Sequence, residues 1–73
     1  MQESISPPVT SEVTGITYIP DECVFVTNLK QVAKYLQNGA KVVDLFTNYN
    51  NICFVFGKRD TYELYAAWRE HKL

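Results

Sequence analysis

The sequence predicts an α+β fold: a two-layer sandwich in which a three-stranded, mainly antiparallel sheet carries two helices on one face. Three observations support it. Ile52–Phe56 is a run of five apolar residues with Asn48, Asn50 and Asn51 before it and Gly57 after it, the pattern of a strand buried on both faces. Two other stretches repeat apolar residues at helical spacing. The resulting order, β-α-β-β-α, fits a split β-α-β unit with strand order 1-3-2, which puts the most apolar strand in the centre.

Residues 1–14 are polar, contain Pro7-Pro8 and show no periodicity, so they read as a flexible acidic arm before a single compact domain at 15–73. Gly15–Pro20 is extended in character. Ile16 and Tyr18, with Val13, alternate up to Pro20, either as an extra N-terminal edge strand or as a strap over an open sheet face. Cys23–Thr27 is β-branched and aromatic, a strand. Leu29, Val32, Ala33 and Leu36 fall at i, i+3, i+4 and i+7 and form the apolar stripe of a helix. Thr27 or Asn28 caps its start, and Gly39 suits the left-handed position after its end.

Lys41–Phe46 is the second strand. Strict alternation puts Val43 and Leu45 on one face and Val42, Asp44 and Phe46 on the other, and the charge at Asp44 marks an edge position. Thr47–Asn51 is a loop that closes a hairpin into Ile52–Phe56. The last helix has Asp60 and Glu63 spaced as a capping-box variant, with Thr61, Leu64, Tyr65 and Trp68 as its buried stripe.

In the central strand Ile52, Phe54 and Phe56 oppose Cys53 and Val55; in the first, Cys23 and Phe25 oppose Val24 and Val26. Neither face is polar, so the face without helices needs a cover: the Ile16–Pro20 segment, a second copy of the chain, or a functional partner.

The totals exclude several classes of function. The chain has 73 residues, room for one small domain. No stretch reaches the roughly 18 apolar residues of a membrane span. The N-terminus lacks the basic and apolar segments of a signal peptide, so the expected location is the cytoplasm. Two cysteines without a CxxC spacing and a single histidine argue against zinc, and Cys23 and Cys53 read as buried, reduced thiols. No cofactor is implied. Charge is asymmetric: residues 1–22 carry Glu3, Glu12, Asp21 and Glu22 and no Lys or Arg, whereas the remainder carries seven basic and four acidic residues.

The stretch Phe25-Val26-Thr27-Asn28, the helix with Tyr35-Leu36, Gly39, Val42-Val43-Asp44, Phe54-Val55-Phe56 and Trp68 resembles a small bacterial and bacteriophage domain family of unassigned function, over residues 23–73. The resemblance implies the β-α-β-β-α fold and a phage or mobile-element origin, and it transfers no catalytic residue.

Enzymatic readings are poor. Gly57-Lys58-Arg59 lacks the spacing of a phosphate loop, no serine falls in the expected folded body, and His71 reads as a surface or capping histidine. A Cys23–His71 nucleophile pair has nothing in the spacing to favour it. A non-enzymatic protein-binding role fits better, possessing aromatic anchors outside any core requirement. The candidate contact residues are Tyr18, Phe25, Tyr49, Tyr62, Lys58 and Arg59. Homodimerisation through the open sheet face is the associated expectation, as is modulation of a host protein if the origin is a phage. The alternative is single-stranded nucleic-acid binding, with Phe25, Phe54 or Phe56 stacking bases and nearby Lys and Arg on phosphates; a body lacking a basic stripe weighs against it.

Overall fold

The computed structural model describes residues 7–73; residues 1–6, the first part of the expected arm, lie outside the described residues. The strands are β1 (Val9–Thr10), β2 (Thr17–Tyr18), β3 (Cys23–Val26), β4 (Val42–Asn48) and β5 (Asn51–Gly57), and the helices are α1 (Leu29–Gln37) and α2 (Lys58–Arg69). A 3-10 turn at Pro20–Glu22 leads into β3.

The main sheet has the order β3-β5-β4, with β5 antiparallel to both neighbours. The expected topology is therefore the one formed. Cys53, Val55 and Phe56 are buried as a central strand requires, but Ile52 sits near the hairpin end and is exposed. The two helices cover one face. Val26, Val32, Tyr35, Ala40 and Phe56 form the core, with Val24, Val42, Phe54, Leu64, Trp68 and Leu73 packed against it. Tyr35 meets Phe56 edge-on, ring centroids 5.3 Å apart, a favoured aromatic geometry.

Val42 belongs to that core because of a bulge. The β4–β5 register runs Val42↔Phe56 and then Asp44↔Val55, skipping Val43. One extra residue reverses the alternation. Val42 thus joins the helix-covered face, while Asp44 and Phe46 stay on the other; strict alternation had placed all three together. The expected Thr47–Asn51 loop is also shorter. Asn48 pairs with Asn51, so only Tyr49 and Asn50 turn the corner, Tyr49 with φ 58°.

Helix α1 starts where its cap dictates: the Asn28 side chain accepts from the N–H groups of Lys30 and Gln31 at 3.0 and 3.2 Å. It ends in a Schellman motif, with Gly39 (φ 92°) donating to Leu36 O and Ala40 to Tyr35 O. Its buried side is Val32 and Tyr35, not the whole Leu29–Val32–Ala33–Leu36 stripe; Leu29 is 60% and Leu36 44% exposed. The ring of Tyr35 fills the space above Phe56, and the helix is rolled to accommodate it.

Helix α2 begins directly after Gly57 without a side-chain cap. The expected capping role of Asp60 is replaced: its carboxylate accepts the Lys41 backbone N–H at 2.9 Å, tying the helix to the segment before β4. Thr61, fully buried, bonds back to Gly57 O at 3.0 Å. The helix ends with His71 (φ 59°) in the left-handed position, donating to Trp68 O, and Lys72 to Ala67 O, a second Schellman motif.

The face without helices is partly covered by the chain itself. β1 and β2 form their own antiparallel hairpin, and bonds from Ser11, Thr14 and Tyr18 to Val43 and Asp44 of β4 hold this hairpin to the sheet as a strap. Residues 9–14 are therefore part of the folded body, not of an arm that ends at residue 14. Ser11, expected to lie outside the body, is buried. It holds the strap's turn: its hydroxyl accepts from the N–H groups of Val13 and Thr14 at 3.1 and 3.0 Å, and its N–H donates to Ile16 O at 2.9 Å. Thr14 Oγ1 then donates to Val43 O at 2.7 Å, at the bulge.

Candidate functional site

Beneath the strap, Asp44 points inward from the edge strand β4. Tyr18 Oη donates to its Oδ2, Ser11 bonds the same carboxylate, and the Leu45 N–H donates to Oδ1 at 2.7 Å. Burial pushes the Asp44 carboxyl up, but these donors together outweigh it and hold the group below its usual value. The bond to Asp44, with burial and the Asp44 charge, pushes Tyr18 up to about 12. Cys23 and Cys53 lie buried on this same face, their thiols pushed up chiefly by burial. Tyr18, a candidate contact residue by sequence, is thus committed to holding the strap.

The strap leaves two aromatic side chains of that face uncovered. Phe25 and Phe46 are 48% and 38% exposed, and their rings meet edge-on at 6.1 Å.

Phe25 also borders a hollow. This groove, about 570 Å³, is lined by Val24–Asn28 of β3 and its exit, by Gln31 and Tyr35 of α1, and by Lys58, Thr61, Tyr62 and Tyr65 of α2. Val24 and Val26 face one side of β3 and Phe25 the other, so a hollow bordered by all three runs along the backbone edge. That edge is free, because β3 pairs only with β5. Gln31 Nε2 donates to Tyr35 Oη at 2.8 Å and fixes the polar wall. Tyr65, 51% exposed, carries Arg69 over its ring at 5.7 Å.

The structure therefore brings Phe25, Lys58 and Tyr62 together. Arg59, with Tyr62, borders a smaller, more polar hollow between the end of α1 and the start of α2. Tyr49 stands apart at the hairpin tip, 96% exposed. Sequence reasoning missed Tyr65, which it assigned to the core. The signal was present: Tyr62, Tyr65 and Arg69 follow at i, i+3 and i+7 and form a stripe of their own beside the inward stripe of buried Thr61 and partly buried Leu64 and Trp68.

No group of three or more His, Cys, Asp or Glu side chains able to hold a metal occurs among the described residues. No described helix is long and apolar enough to cross a membrane. No family model, no curated protein and no solved structure matches the chain.

Proposed function

We propose that this chain is a small non-enzymatic protein-binding module whose partner docks in the groove along β3. The observation behind this reading is an uncovered, mainly apolar hollow of about 570 Å³ beside a free strand edge, rimmed by Phe25, Tyr62 and Tyr65. Aromatic side chains of this kind anchor interfaces because they bury much area at little conformational cost. A host protein as partner rests on the phage-domain resemblance alone.

Photo-crosslinking tests the reading. A photoreactive residue is placed at Tyr62 or Tyr65, and at Gln37, which lines neither hollow. A specific adduct from Tyr62 and Tyr65 but not from Gln37 supports groove docking. Equal adducts at all three positions, or none, oppose it.

Self-association belongs to the same reading, and the exposure of the Phe25–Phe46 pair supports it. That pair also favours a second reading, stacking of single-stranded nucleic acid. Oligonucleotide titration at two salt concentrations separates them: binding that weakens with salt supports stacking with phosphate contacts, and none at low salt removes it.

A further inference from the structure

We infer that the occupant of the groove is an extended, acidic segment of another protein, added to β3 as a fourth strand of the sheet. The inference deepens the docking reading and rests on it. Three features of the groove define the occupant. Its floor is the free edge of β3, whose outward N–H and C=O groups form a template for an extended backbone alongside them. Its walls are mainly apolar and aromatic, so the added strand presents an apolar side chain to the helices. Its charge is of one sign. Lys58 is the single charged lining residue, Arg69 stacks on the lining Tyr65, and no carboxylate lines the groove.

Lys58 also gives the occupant a direction of charge. Gly57, the residue before Lys58, pairs with Cys23, so the cation sits at the start of β3; the Glu22 charge also acts at that end, but of the two only Lys58 lines the groove. A second copy is a poor match there. Antiparallel pairing of two β3 strands would bring Val26 and Thr27 of the second copy to that end, with no carboxylate. A foreign strand with an acidic residue opposite Lys58 and an apolar residue facing Tyr62 and Tyr65 meets all three conditions.

The test is an NMR titration of the labelled full chain with a short capped peptide of alternating valine and glutamate around a central tryptophan, and with its lysine-for-glutamate counterpart. The acidic peptide is expected to bind about tenfold or more tightly than the basic one. It should shift the amides of Val24–Thr27 and protect the outward ones from exchange. Lys58→Glu should reverse the preference without harming the fold, since an acid suits the first turn of α2. Equal binding of the two peptides, shifts away from β3, or no binding overturns the inference. If instead β3 shifts with protein concentration alone, or with an amphipathic helical peptide, the groove remains a docking site and its occupant is not an acidic strand. If none of these probes shifts β3 but crosslinks still form specifically at Tyr62 and Tyr65, again only the occupant fails; if the crosslinks are absent as well, the docking reading fails with it.

Discussion

Tyr18 donates its phenolic hydrogen to Asp44, 26 residues along the chain, and by that bond the strap is closed over the second face of the sheet. Asp44 lies on an edge strand and faces inward, and an inward charge on an edge also discourages strand-to-strand aggregation. The pair thus links the N-terminal hairpin to the sheet and leaves β3 as the edge with the open groove.

Tyr18→Phe keeps the ring and removes the donor. A buried carboxylate short of a hydrogen-bond partner costs about 1–3 kcal/mol. Urea denaturation should show that loss, and hydrogen exchange should show the strap amides, Ser11 and Gly15 among them, opening before those of β5.

The pH response follows from the same pair. The folded Asp44 carboxyl titrates below its unfolded value, so its contribution is complete above about pH 4 and disappears as pH falls through the lower folded value. The folded Tyr18 phenol titrates near 12, so its contribution is complete below about pH 10 and is lost as pH rises toward 12. Denaturation midpoints measured from pH 3 to 7 should fall at the acid end, and Asp44→Asn should flatten that fall.

Cys23 and Cys53 report on the strap. Both are buried on the face it covers, with thiols shifted upward, so labelling by a disulfide reagent at neutral pH should be slow. In Tyr18→Phe it should accelerate several-fold. An unchanged rate would mean that strap opening does not control access to the thiols.

His71 and Tyr49 hold positive φ without being glycine. His71→Gly should stabilise the chain by about 0.5–1 kcal/mol, because glycine adopts the left-handed position after a helix without steric cost. Thermal melts of the variant and the parent decide this.

The two sides of α1 should respond unequally. Tyr35→Ala removes a fully buried ring packed on Phe56 and should cost about 3–5 kcal/mol. Leu29→Ala, at an exposed position, should change stability by about 0.5 kcal/mol or less. Chemical denaturation of both variants checks the roll of the helix.

The sequence alone determined the order of elements, the central place of Ile52–Phe56, the cap at Asn28 and the left-handed Gly39. Each follows from local pattern: alternation, helical spacing, and the few residue types that tolerate a cap or a positive φ. It also indicated that the face without helices needs a cover, because apolar residues alternate onto both sides of β3 and β5. Tertiary structure decided the rest. Val42 turned to the core because a single bulge reset the alternation of β4, and no local signal marks where a strand takes up an extra residue. Tyr35 displaced Leu29 and Leu36 from the helix interface because the volume above Phe56 suits an aromatic ring, a property of the packed pair. Asp60 bonded Lys41 instead of capping its own helix, because the chain brought a backbone N–H within reach. Ser11 and Tyr18 became the fastening of the strap, and Tyr65 part of a groove, through contacts between segments far apart in the chain. Such contacts depend on which surfaces the fold brings together, and that is settled only when the whole chain has packed.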